Sequence, residues 1–139
     1  MAASERFEGS DGRRAVILLT DGADQGSEYR MREAIAAAQR ADVALYPVAV
    51  ELSQRFARER WILGEMARET GGRVFSLGRR TDPSSIYEAI ERDVRSQYRV
   101  SYAPLIAGGG GEWRELEIRL TGEENKDIRV RSRPGYFAQ

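Results

Sequence analysis

Cysteine and histidine are both absent from the 139 residues. Without cysteine there is no disulfide, no thiol nucleophile and no thiolate zinc site, and without histidine the commonest general base and transition-metal ligand are gone. Most hydrolase chemistry is excluded on this ground, since catalysis would rest on carboxylates, hydroxyls, lysine or arginine alone. Any bound metal is expected to be a hard cation held by oxygen, such as magnesium, manganese or calcium. Long apolar runs are missing as well. The longest, Ala15 to Leu19, falls far short of the roughly 20 residues that cross a bilayer, and Met1 to Gly12 lacks the apolar stretch of a secretory signal. No membrane insertion is expected. Nor is there an excess of charge of either sign: 22 basic and 22 acidic residues are interspersed along the chain, which describes a salt-bridged surface with no field steering it toward nucleic acid.

What is present is a chain of one domain's length, able to bury roughly two-thirds of its unfolded surface. Ala15 to Leu19 is a continuous aliphatic run that stops at Thr20, Asp21 and Gly22, as in a strand covered on both faces of a parallel sheet. Ser27 offers an N-cap for a helix over Glu28 to Arg40, where Met31, Ile35 and Ala38 recur at helical spacing. Val43 to Val50 reads as a second strand, with Pro47 at a position where no ladder bond is donated. Phe56 to Thr70 reads as a helix with Trp61, Ile62, Leu63 and Met66 on its apolar face, closed by Gly71 as a left-handed cap. Arg73 to Leu77 is a short third strand. Asp82 and Pro83 then open a third helix, carrying Ile86, Tyr87, Ile90 and Val94, that runs to about Ser96. Three strand–helix alternations predict a parallel sheet flanked by helices.

After Gln97 the period changes to two. Tyr98, Val100 and Tyr102, then Leu116, Ile118 and Leu120, then Ile128 and Val130 alternate with polar residues, predicting a three-stranded antiparallel meander. Gly108 to Gly111 and Glu123 to Lys126 suit its connections. Glu115, Glu117 and Arg119 are expected to face Arg129 and Arg131 across that ladder. Arg129, Arg131 and Arg133 beside Tyr136 and Phe137 admit a nucleic-acid groove as an alternative, but alternation explains the arginines as a strand's wet face.

The stretch from Arg13 to Val50, RRAVILLTDGADQGSEYRMREAIAAAQRADVALYPVAV, resembles the second half of a von Willebrand factor type A (VWA) domain of the bacterial VWFA-related branch. EMARETGGRVFSL from Glu65 to Leu77, the segment ending in RSQYRVSYAP, and the terminal RVRSRPGYF resemble that branch in order and spacing. The resemblance implies a truncated doubly wound (Rossmann-like, VWA-type) mostly parallel α/β sheet over residues 1–97. An antiparallel β tail over residues 98–139 packs on it or extends it. Members of the family hold a divalent cation with a DxSxS loop, a threonine and the aspartate of a TDG-like turn. Only the last has a counterpart here, Asp21, and no DxSxS occurs. The metal-ion-dependent adhesion site is therefore incomplete within this chain, and magnesium or manganese would bind weakly.

Independently of the family, a carboxylate at the C-terminal end of a parallel strand sits where open α/β sheets bind ligands. Asp21 thus reads either as a cation ligand or as a solvated turn residue. Asp21 with Asp24 also admits an acid/base pair or a calcium loop, although the spacing lacks the alternating oxygens of such a loop. The family resemblance implies a protein-binding module with adhesion or scaffolding roles, not an enzyme, whose partner docks on Thr20, Asp21, Gly22, Asp24 and Ser27. The alternative is an assembly element that self-associates through strand 15–19, because the family's first strand is lacking and an apolar edge is a template for pairing. Relatives are commonly extracytoplasmic.

Overall fold

The computed structural model describes residues 12–21, 30–50, 57–104, 110–122, 128 and 130–138. The elements are β1 (Arg14–Thr20), α1 (Met31–Arg40), β2 (Val43–Val50), α2 (Ala57–Thr70), β3 (Phe75–Leu77), α3 (Pro83–Arg95), β4 (Trp113–Glu115) and β5 (Gly135–Phe137). The first three strands form a parallel sheet in the order β1-β2-β3, and β4 pairs antiparallel with β5. The fold is mixed α/β, with helices on the parallel sheet. Among the described residues no helix is long and apolar enough to cross a membrane.

Alternation along the strands assigns the helices to faces. Val43 and Leu45 of β2 pack with Ala38 of α1, Met66 of α2 and Val16 of β1. Tyr46 and Val48 point the other way and meet Ile86 and Ile90 of α3, joined by Ala15, Phe75 and Leu77. β2 is therefore the central strand, buried on both faces, which explains its unbroken apolar sequence. Burying an aliphatic side chain of this kind contributes about 1.5 to 3 kcal/mol.

Pro47 sets the length of β3. Leu18 pairs with Pro47 on the β1 side, whereas β3 joins the ladder only from Val48, opposite Phe75. The expected strand over residues 73–77 is thus shortened to Phe75–Leu77, because beside Pro47 there is no amide hydrogen to receive. Below that point the Leu45 N–H, on the β3 side, donates to the buried Thr70 hydroxyl at 3.0 Å. That hydroxyl in turn donates to the Met66 carbonyl at 2.7 Å.

α2 ends here. Gly71 adopts φ +79° and the Gly72 N–H returns to the Ala67 carbonyl at 2.8 Å, a left-handed cap as the sequence predicts. A Cβ on Gly72 would collide with the Leu45 carbonyl oxygen, so this position requires glycine for close approach rather than for its φ.

Helix starts follow simple chemistry. The Asp82 carboxylate accepts from the Ser84 N–H at 3.0 Å with Pro83 in the first turn of α3, as expected. At α1 the described helix begins at Met31, and the Glu33 carboxylate accepts from the Arg30 N–H at 2.8 Å. The cap expected at Ser27, the residues Glu28 and Tyr29, and Phe56 before α2 lie outside the described residues. Trp61 and Tyr87, expected on apolar helix faces, are 59% and 63% exposed. Their neighbours Leu63, Ile86 and Ile90 take the core positions instead.

The tail departs most from expectation. Residues 98–102 carry no strand, and Tyr98 is 94% exposed. In place of three strands, a two-stranded sheet is seen among the described residues, closed by Leu116 N–H to the Pro134 carbonyl and Ala138 N–H to the Glu112 carbonyl, both 2.8 Å. Its third expected strand, at Ile128 and Val130, is displaced to β5. Of the expected cross-strand charge pairs, those with Arg129 lie outside the described residues, and none with Arg131 is seen among them. Glu117 binds Arg119 within its own segment, and Arg131 and Arg133 leave the ladder to bind Asp93 and Asp42 at 2.9 and 2.6 Å.

These contacts make residues 131–137 a strap across the N-terminal edge of the parallel sheet. Arg131 meets the end of α3 and the Arg133 backbone lies against Gly71 at the end of α2. Phe137 lies under the Arg40 guanidinium at the end of α1, 4.6 Å from ring centroid to carbon.

Replacing Gly72 by alanine is expected to destabilise the chain by about 2 to 4 kcal/mol, since the new methyl meets backbone that has no room to move. Thr70→Val strands the Leu45 N–H and is expected to cost about 1 to 3 kcal/mol. Urea denaturation monitored by circular dichroism measures both; a change below about 0.5 kcal/mol in either variant would contradict this account of the turn.

Candidate functional site

The C-terminal ends of the three parallel strands define one edge of the molecule. Thr20 closes the β1 ladder opposite Ala49 and is half-buried; Asp21 follows it and is exposed. Of the five residues expected to form the docking loop, the structure brings Thr20 and Asp21 together at this edge. Gly22, Asp24 and Ser27 lie outside the described residues.

At the top of β3, Gly78 and Thr81 close a turn through Thr81 N–H to the Gly78 carbonyl and Gly78 N–H to the Thr81 hydroxyl, 3.0 and 3.2 Å. This turn delivers Asp82 to its place as the cap of α3. By accepting from the Ser84 N–H, the Asp82 carboxylate serves its own helix. Magnesium requires near-octahedral oxygen ligands at about 2.0 to 2.1 Å. Among the described residues no three acidic side chains gather for a cation, and Asp21 with the Thr20 hydroxyl supplies only part of such a set. The described residues do not fit a complete cation site.

The opposite edge holds a polar cluster that no motif of the sequence singled out. The Tyr46 side chain is 1% exposed, and its phenol oxygen accepts from Gln97 Nε2 at 3.3 Å. Burial pushes the Tyr46 phenol above its ordinary pKa, and the nearby Asp93 carboxylate adds to the effect. Asp93 itself receives Arg131 at 2.9 Å and Arg73 at 3.7 Å. Arg13 donates to the Gln97 carbonyl at 2.7 Å and Arg14 to the Ala41 carbonyl at 2.9 Å, just past the ends of α3 and α1. Arginines thus gather where three helix C-termini converge, the place where the helix dipole favours positive charge. Their signal in the sequence was only an R-x-R pattern, which reads equally as a wet strand face.

A cleft of about 460 Å³ lies between α2 and the tail, floored by Ala67, Val74, Leu116 and Val130. Its rim charges are internally compensated: Arg68 pairs with Glu65 and Glu69, and Arg131 with Asp93. The Arg68 guanidinium beside Glu65 holds that carboxyl below its usual range.

Comparison with known proteins adds one likeness. No protein-family model matches the chain, and no curated protein matches it. Among solved structures, it is similar to an uncharacterized membrane-spanning protein from Vibrio fischeri, with 25% identity and a TM-score of 0.49 over 66% of this chain and 52% of that one. The chain thus spans about half the length of that solved structure.

Calorimetric titration with magnesium or manganese is expected to show no saturable binding stronger than on the order of 1 mM, since one carboxylate and a hydroxyl leave most of the coordination shell to water. Saturable binding that Asp21→Ala abolishes would instead establish a completed cation site.

Proposed function

We propose that the chain is a VWA-like protein-interaction module, the C-terminal half of such a domain with its β tail, which recognises a protein partner through the Thr20 to Ser27 loop. One observation carries this reading. The described tail anchors at the N-terminal edge of the sheet, through Asp93, Gly71, Asp42 and Arg40, while Asp21 stands exposed at the C-terminal edge. Open α/β sheets bind ligands at that C-terminal edge.

The parallel order β1-β2-β3 with helices on both faces is what a doubly wound, VWA-type sheet requires of this segment. The adhesion site is incomplete, so recognition depends on the loop's own polar groups and only weakly on magnesium or manganese. Binding without catalysis fits a chain that has neither histidine nor cysteine and no gathered acidic cluster among the described residues.

A second reading is favoured by a different observation. β1 pairs with β2 alone among the described residues, and its Leu19 is 65% exposed. Under this reading the chain is an assembly element that self-associates through strand 15–19, with no ligand at Asp21.

Asp21→Ala separates the two. With the immobilised chain presented to extract of its source cells, recovery of a specific protein is expected to fall at least about tenfold in the variant, the effect of losing about 1.4 kcal/mol. Equal recovery from both would exclude the loop as the docking site and leave assembly as the function.

A further inference from the structure

We infer that two copies of the chain join by antiparallel pairing of β1 across a two-fold axis at Ile17, making one continuous six-stranded sheet. This rests on the assembly reading and specifies its surface, partner and register.

Backbone parity shows which residues face outward. Leu45 sends its N–H to Thr70 on the β3 side, and successive residues of a strand address alternate edges. Tyr46 therefore addresses β1, where its register partner is Ile17. In a parallel ladder the bonds from Tyr46 run to the residues flanking that partner, Val16 and Leu18. Ala15, Ile17 and Leu19 then carry their N–H and C=O groups on the outer edge, where no described strand pairs with them.

An antiparallel pair exchanges two hydrogen bonds between directly opposed residues when both face the junction. Centring the axis on Ile17 opposes Ile17 to its copy and Ala15 to the copy's Leu19, twice, so three hydrogen-bonded pairs form with six bonds. The same register carries Arg13 to the copy's Asp21 at both ends of the junction, which pairs opposite charges. Moving the axis to Leu18 keeps the parity but pairs Ala15 with Asp21 and breaks that charge match.

Side chains agree with the same register. Ile17 and Leu19 share a face with Ala15, which packs toward α3, yet they are 39% and 65% exposed. Pairing sets each Leu19 beside Ala15 of the other copy and makes the two apolar stripes one. An edge of this kind is apolar and lacks, between Ala15 and Leu19, the proline and the inward charge that keep edges apart. The Asp21 residues of the two copies come to lie about 27 Å apart, eight strand residues along the junction, each beside the other copy's Arg13.

Light scattering on the purified 139-residue chain tests this, with Leu19→Lys and Ile17→Pro beside it. The proline is tolerated in a monomer because the Ile17 N–H faces the open edge, and circular dichroism checks that both variants fold. A dimer is expected whose dissociation constant rises at least tenfold in each variant. Because the chain has no cysteine, Ile17→Cys supplies one thiol per copy. Directly opposed hydrogen-bonded residues have Cα atoms about 5.5 Å apart, within disulfide reach. Oxidation is expected to cross-link Ile17→Cys efficiently and Ala15→Cys poorly.

A wild-type monomer at high micromolar concentration overturns both this interface and the assembly reading. A dimer that persists in Leu19→Lys and Ile17→Pro overturns the interface while the assembly reading stands. Cross-linking of Ala15→Cys as readily as Ile17→Cys overturns the register.

Discussion

The Thr70–Gly71–Gly72 turn is the constraint on which the rest of this chain depends. At one point it ends α2, satisfies the Leu45 amide that Pro47 leaves beyond the reach of β3, and lets the backbone of β2 lie against the turn. The same turn receives the tail: the Arg133 nitrogen sits 3.3 Å from where a Cβ of Gly71 would be. Gln39 of α1 adds a bond to the Glu69 carbonyl at 2.9 Å. Two helices, the central strand and the strap are thereby fixed relative to one another by backbone geometry rather than by side-chain bulk.

This arrangement divides the molecule into two ends with different chemistry. At the N-terminal edge of the sheet, the C-termini of three helices meet arginines from both chain ends, Arg13 and Arg14 on one side, Arg131 and Arg133 on the other. Each exposed ion pair contributes only about 0.2 to 1 kcal/mol. Their shared location, in the negative ends of helix dipoles and around a buried tyrosine, makes them a coherent set. The C-terminal edge carries no such closure among the described residues, and there the chain presents Asp21. Anchoring at one end and exposure at the other is the physical content of the proposal that the Asp21 edge is used for recognition.

Much of the parallel sheet was legible in the sequence because its signals are local. An unbroken aliphatic run gave β1, Asp82–Pro83 marked the start of α3, and Gly71 marked the end of α2. Elements whose definition comes from tertiary contact were not legible. β3 is cut short by a proline on a neighbouring strand, and the tail's pairing is chosen by what residues 131–137 touch beneath three helices rather than by alternation. Residues 98–102 have the period of a strand but pair with no strand among the described residues, Tyr102 touching the tail through the Tyr136 hydroxyl and ring. Period shows which faces a segment has, but not whether another strand lies beside it. At the candidate site Thr20 and Asp21 stood out from the sequence, whereas the Tyr46–Gln97–Asp93 cluster joins a strand residue to the end of α3 and to Arg131 of the tail, with 51 positions between Tyr46 and Gln97, and carries no local motif.

Amide hydrogen exchange tests most directly whether the strap and the sheet are one cooperative body held at the turn. The amides of Leu45, Leu116 and Ala138, bonded respectively to Thr70, Pro134 and Glu112, are predicted to exchange in the same slow class, with free energies of opening near that of global unfolding. All three should be lowered together by Gly72→Ala. Fast exchange at Leu116 and Ala138 beside a protected Leu45 would contradict the account, because it would mean the tail opens independently of the sheet it is said to close.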